Sequence, residues 1–261
     1  MEVHQQNEVW KELEDGDLEF AWTKIVIRGQ NDQYFYATTK VRIHLLPPLS
    51  PADLDRLDKT PISIDNIWPL FSTQFSRAPE PLPSEFFVKG PCLINCDETE
   101  ELAYQPSSFI LREVQICEFL KKHPHPNIAT YIGCVVDANR IKGLCLVRYK
   151  MTLEERLKVA APFDKDLCLR GIEQGIQHLH SLGLVHNDIN PHNVMVDEMD
   201  HAVIIDFDSC QHEGRKLVKG GTIGWSMEEM EKMGYSRFEN DAFGLSKIRE
   251  LLLTSSNDVG P

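Results

Sequence analysis

Within residues 185–210, VHNDINPHNVMVDEMDHAVIIDFDSC, two acids and an amide stand at Asp188, Asn193 and Asp206, with His186 just ahead of them. Pro191 lies between Asp188 and Asn193 and forbids a regular helix there, so both side chains can project from one loop. The run HAVIIDFD reads as a buried strand ending in an acid, which sets Asp206 at the strand's mouth. An amide oxygen and a carboxylate converging there form a hard, oxygen-only site of the kind Mg²⁺ takes together with substrate phosphates. Asp188 is then left as a carboxylate able to receive a proton. Taken singly, each of these residues also reads as a turn former, since Asp and Asn are common in loops.

The elements that would have to hold such a site flank it. Residues 18–45 have the β-branched and aromatic content of a hairpin, with RGQNDQ as its turn. Ser50 and Pro51 start a short helix as N-cap and first residue. SRAPEPLPSE reads as a Pro-rich linker, followed by FFVKG, a short strand ending at Lys89. Residues 107–122 have helical periodicity, and Glu113 falls in the middle of the apolar face made by Phe109, Ile110, Val114, Ile116, Cys117 and Leu120. A carboxylate there either meets a cation or tilts out to water, because burying it unpaired costs about 3–5 kcal/mol. HPHPNIATYIGCVV and KGLCLVRY supply further strands. Thr152 and Glu155 form a capping box, and a helix with Leu169, Ile172, Ile176 and Leu179 on one face runs up to Gly183. A small β-rich half followed by a helix-rich half is the outline of a two-lobed enzyme.

HNDINPHN followed by DFD resembles the catalytic loop H-R-D-x-x-x-x-N and the D-F-G of the eukaryotic protein kinase family. The likeness extends over roughly residues 85–253, through FVK, REVQICEFLKKHPHPNIATYIG, GGTIGWSMEE and NDAFGLSKIRELL. DFDSC and GTIGW resemble the wording of short kinase-domain proteins of filamentous fungi. The resemblance implies an α+β, two-lobed protein-kinase-like fold and an ATP- and Mg²⁺-dependent transfer to a protein hydroxyl. Asp188 would be the catalytic base. Lys89 would contact phosphates and pair with Glu113, while Asn193 and Asp206 would hold the metal. His186 and Phe207 would be internal packing residues, Asp241 would anchor the catalytic-loop backbone, and Thr222 and Glu229 would mark the end of the activation segment. The domain would occupy residues 79–261, divided at 150/151, after an N-terminal hairpin and helix region at 1–78.

Four departures from the family pattern bear on function. No glycine-rich loop is present, since only Gly16, Gly29 and Gly90 occur before residue 130; the small lobe is therefore reduced, and turnover should be slow. Asp208 stands in place of the D-F-G glycine, which should stiffen any movement of Phe207. Asn187 replaces the arginine before the catalytic Asp, so no cation is there to grip a phosphate at Ser209, Thr222 or Ser226. Asn190 stands where Ser/Thr kinases carry a lysine, and the family's helices beyond the one bearing Asp241 are not in the sequence, which would leave part of FGLSKIRELLL to be covered by the N-terminal hairpin or by another protein.

Three functions compete on these residues. The first is a Ser/Thr protein kinase, favoured over Tyr by Thr222. The second is a pseudokinase binding nucleotide or a partner. The third is a small-molecule phosphotransferase resembling choline and aminoglycoside kinases, whose motif fits HNDINPHN and IIDFD nearly as well. Composition narrows the surroundings. With 40 acidic against 27 basic residues and a net charge of −13, nucleic acid is not an expected partner. No run of about 18 apolar residues suggests a membrane span, and the start, MEVHQQNEVWKELEDGD, is acidic and unlike a signal. Seven scattered cysteines suit a reducing compartment, cytosol or nucleus; Cys92 and Cys96 have loose metal spacing but no second pair beside them.

Overall fold

The computed structural model describes residues 1–13, 16–94, 105–227 and 234–254, which fall into two compact units. One comprises Met1–Leu70 with Gly90–Ile110, the other Phe71–Lys89 with Leu111–Pro261.

The first unit is built on an antiparallel sheet in the order β1 (Glu2–Glu12), β2 (Leu18–Arg28), β3 (Tyr34–Thr39) and β4 (Thr60–Ile62), with helix α1 (Pro51–Arg56) before β4 and α2 (Ile64–Ile67) after it. Strand alternation puts Val26 on one face of β2 and Ile25 and Ile27 on the other. Each face has its own core: Val26 packs with Tyr34, Ile62, Ile67, Trp68 and Leu93, while Ile25 and Ile27 pack with Ala37 and Leu54. The hairpin is therefore present, but its second strand stops at Thr39 and residues Ile43–Leu45 make a 3₁₀ turn instead. Ser50 caps α1 with Asp53 answering it, as the sequence predicts.

The second unit opens with β5 (Phe86–Lys89) and the long helix α3 (Pro106–Lys121, whose Leu111–Lys121 part belongs here), then β6 (Tyr131–Asp137) and β7 (Arg140–Val147). The sheet order is β5-β7-β6, all antiparallel. The Pro-rich stretch is not a free linker. Ala78 N–H donates to Cys134 O and Cys134 N–H to Ser76 O, each at 2.8 Å, so residues 76–78 lie against β6. Gly133 permits this, since a Cβ there would meet the Arg77 carbonyl carbon at 2.6 Å. Proline content suppressed the signal, although backbone pairing there uses no proline N–H.

After β8 (Met151–Thr152) come α4 (Leu153–Leu157), with the Thr152/Glu155 capping box in place, and α5 (Lys165–Ser181), which buries Ile172, Ile176 and Leu179. Short strands β9 (Leu184–Val185), β10 (Val194–Val196), β11 (Ala202–Ile204) and β12 (Gln211–His212) bracket the catalytic-type loop; β8, β10 and β11 form one sheet, β9 and β12 another. Helix α6 (Phe238–Thr254) packs on α5. Among the described residues no helix is long and apolar enough to cross a membrane, and no cluster of three or more His, Cys, Asp or Glu side chains is arranged to hold a metal. Cys92 is exposed, and Cys96 lies outside the described residues.

Candidate active site

Strand β5 pairs with β7 in a register that sets Lys89 opposite Leu144, at the strand's end. From there its Nζ donates to Glu113 Oε1 and to Asp206 Oδ1, each at 2.7 Å. Of the two outcomes open to Glu113, the cation is the one realised: the residue is only 3% exposed and also accepts the Phe207 N–H at 3.2 Å. Three parts of the chain distant in sequence, β5, α3 and the turn after β11, are thus joined through one ammonium. Burial alone would lower the Lys89 pKa, but the carboxylates of Glu113 and Asp206 outweigh it and hold it above its ordinary value. Burial pushes the Glu113 carboxyl up, to about 7, because Lys89 is shared with Asp206 and Asp208 and only partly opposes the effect. For Asp206, burial would raise the pKa, yet Lys89 overrides it and the carboxyl stays below its usual value.

The loop after β9 is held from beneath by α6. Asp241, fully buried, accepts the His186 N–H at 2.9 Å, the Asn187 N–H at 2.8 Å and His180 Nε2 at 2.8 Å. His186 spends both ring nitrogens on the backbone: Nε2 donates to Ile205 O at 2.9 Å and Nδ1 accepts the Asp188 N–H at 3.3 Å. Its ring lies edge-on to Phe207, with centroids 5.6 Å apart. This histidine links β9 to β11 and is not available as an acid or base. Asp188 Oδ2 accepts Asn193 Nδ2 at 2.9 Å, and its Oδ1 accepts Asn190 Nδ2 at 3.0 Å and Thr222 N–H at 2.8 Å. Asn190 also donates to Thr222 Oγ1 at 3.2 Å, so without a lysine it still links the loop to the activation segment.

Lys89, Glu113, Asn193 and Asp206 line a common cavity of about 410 Å³, walled by apolar side chains that include Ala129, Leu146, Met195 and Ile205. A lining that combines these apolar side chains with Lys89, Glu113, Arg148 and Asp206 matches a ligand with an apolar part and an anionic part. The donor set suits Mg²⁺. Asp206 presents a carboxylate, and the Asn193 amide, with its nitrogen turned to Asp188, must direct its oxygen the other way. Asp188 stands beside this cavity through its bond to Asn193.

A model of the protein kinase domain matches residues 94–248. The chain belongs to the protein kinase family. It is similar to the serine/threonine-protein kinase PSK1 of Saccharomyces cerevisiae, 30% identical over 157 residues, which cover 54% of this chain and 11% of that protein. It is likewise similar to the serine/threonine-protein kinase polo of Drosophila melanogaster (30% over 137 residues, 49% and 24%) and to the putative serine/threonine-protein kinase/receptor R826 of Acanthamoeba polyphaga mimivirus (28% over 144 residues, 52% and 9%). The chain thus spans a quarter or less of the length of these curated relatives. Within the kinase match lie Glu113, Asp188, Asn193 and Asp206; Lys89 precedes it, and its place in the site rests on the geometry.

Two features escaped sequence reading. Asn187, noted only for the arginine it replaces, is 2% exposed, and its Nδ2 donates to Val185 O, Ser209 O and Ser236 Oγ at 3.0–3.1 Å while its Oδ1 accepts Asn240 Nδ2 at 2.9 Å. A four-bond amide network leaves no pattern in sequence. The second is Asp208, whose Oδ2 accepts Lys219 Nζ at 2.6 Å. The left-handed backbone near this turn falls at Asp206 (φ 65°), not at Asp208, so the glycine replacement carries no backbone strain. Glu229 lies outside the described residues.

Proposed function

We propose that this protein transfers the γ-phosphate of MgATP to Ser or Thr hydroxyls of protein substrates. The observation that carries the reading is the double pairing of Lys89 with Glu113 and Asp206 in the wall of a cavity that Asn193 also lines. In this reading Asp188 receives the substrate hydroxyl proton, and Lys89 orients the phosphates. Asn193 and Asp206 hold Mg²⁺, which supplies charge neutralisation on the phosphate oxygens. Thr222, bonded to both Asp188 and Asn190, shapes the place where a hydroxyl substrate meets the base. Turnover is slow. Kinases typically run at about 1–100 s⁻¹, and losing one set of phosphate donors costs roughly 10²–10³, which leaves about 0.001–1 s⁻¹. A reducing compartment, cytosol or nucleus, suits the free cysteines found among the described residues.

A second reading, a nucleotide- or partner-binding pseudokinase, is favoured by the β5-β7-β6 sheet, which among the described residues has no strand pair ahead of β5 to carry a glycine-rich turn. The test measures thermal shift with MgATP and labelled γ-phosphate transfer for the parent, Asp188→Asn and Asp206→Asn. Catalysis requires that Asp206→Asn lose both signals and Asp188→Asn lose transfer alone. Binding without transfer in the parent selects the pseudokinase. Transfer to amino alcohols or aminoglycosides and not to protein hydroxyls selects a small-molecule phosphotransferase.

A further inference from the structure

We infer that the Lys219–Asp208 ion pair is a built-in clasp on the activation segment, and that Lys219 is a positioning residue for phosphoryl transfer. The catalytic consequence rests on the kinase reading above; the structural one does not.

Asp208 lies two residues beyond Asp206, and its Oδ2 is 2.6 Å from Lys219 Nζ and 3.9 Å from Lys89 Nζ. Glu113, Asp206 and Asp208 therefore face two ammonium groups. Take Lys219 away and three carboxylates share Lys89, with the third uncompensated beside a site meant for phosphates. Like charges in a partly buried cluster repel strongly, so Asp208 is tolerable there only because it is neutralised.

The same pair has a mechanical effect. Lys219 is three residues before Thr222, a stretch that reaches about 11 Å at most. Thr222 in turn donates its N–H to Asp188 Oδ1, and Asp188 is bonded to Asn193. Contacts thus run from Asp206, which accepts the Asp208 N–H at 3.4 Å, through Asp208 and Lys219 to Thr222, then through Asp188 back to Asn193. Farther up the segment, Asn187 Nδ2 holds Ser209 O at 3.0 Å. The segment is fixed at Ser209, Lys219 and Thr222 by an amide, an ion pair and a carboxylate. Other kinases can use a phosphate gripped by cations for such ordering; here the charges are encoded in the chain.

Four variants test this: Lys219→Met, Lys219→Arg, Asp208→Gly and the Asp208→Gly/Lys219→Met double. The Lys219 and Asp208 side chains are 41% and 21% exposed, so neither belongs to the buried core. Hydrogen exchange at the Thr222 amide, read without nucleotide, should quicken about tenfold in Lys219→Met and in Asp208→Gly and stay near parental in Lys219→Arg. In kinetics, Lys219→Met should weaken MgATP about tenfold and lower kcat, because it both frees the segment and exposes the Asp208 charge. Asp208→Gly should lower kcat without weakening MgATP. The double variant should regain MgATP affinity while kcat stays low, a split that a merely structural role would not give. Unchanged Thr222 exchange in both single variants, or a double variant that binds MgATP as weakly as Lys219→Met, overturns the clasp. A parent that shows the exchange pattern yet never binds MgATP overturns the kinase reading and leaves the clasp standing.

Discussion

A buried carboxylate that accepts two backbone amides and an imidazole cannot be shortened without stranding those donors, and Asp241 is in that position. Leaving buried donors unsatisfied costs about 1–3 kcal/mol each. Asp241→Ala should therefore lose about 3 kcal/mol of stability, with Asp241→Asn losing less because one acceptor oxygen survives. Urea unfolding measures both, and an Asp241→Ala midpoint equal to the parent's would refute the anchoring role. Glu113 allows a second test at this scale. Its carboxyl is raised by burial to about 7 from an ordinary 4.5. Between those values the native state holds a proton that the unfolded chain has released, so this residue's contribution is complete below about pH 4.5 and declines as pH rises through about 7. Replacing it with glutamine removes the titration. The stability gap between parent and Glu113→Gln should then shift in favour of the variant from about pH 5 to about pH 8, and an equal gap at both would sink the assignment. Glu113 was legible in the sequence from its place on an apolar helical face and Asp241 only through the family resemblance, whereas Asn187 was not, because an uncharged amide buried in a network leaves no such trace.

At the scale of elements, legibility followed the strength of the local signal. Helices α3 and α5 and the capped starts of α1 and α4 came through, since periodicity and caps are written within a few residues. Strand β1 did not. Gln5, Gln6 and Asn7 have little β propensity, and the strand forms because β2 offers it an edge. Two-residue strands such as β9 and β12 are likewise set only by their partners. The approach of α6 to the catalytic loop is a tertiary fact of this sort, and it rests on Gly244. A Cβ there would collide with the Ile189 carbonyl oxygen and lie 2.9 Å from the Ile189 Cβ, and Ile189 is the neighbour of Asp188. Gly244→Ala should push helix and loop apart, lowering stability by about 1–3 kcal/mol and, on the proposed reading, transfer more steeply, because Asp188 moves with its neighbour. Thermal unfolding alongside turnover checks this, and parental values in both would show that the loop yields without consequence.

The molecule as a whole carries a net charge of −13, and its candidate site places three carboxylates around Lys89. A field of that sign draws cations in and slows anions, over a range set by salt: the screening length is about 10 Å at 0.1 M. On the proposed kinase reading, MgATP would approach as an anion and depend on the short-range pull of Lys89 and the metal. A peptide bearing Lys or Arg around its hydroxyl approaches down the gradient. If the protein phosphorylates protein hydroxyls as proposed, its charge would favour basic substrates, a preference no single motif in the sequence specifies. The expected result is a KM for a basic Ser/Thr peptide that rises severalfold between low and high ionic strength, with kcat nearly constant, since screening weakens encounter and not the chemistry. A neutral peptide with the same acceptor hydroxyl should show no such rise. If both peptides respond to salt alike, selection lies in local contacts near Thr222 and not in the field of the chain.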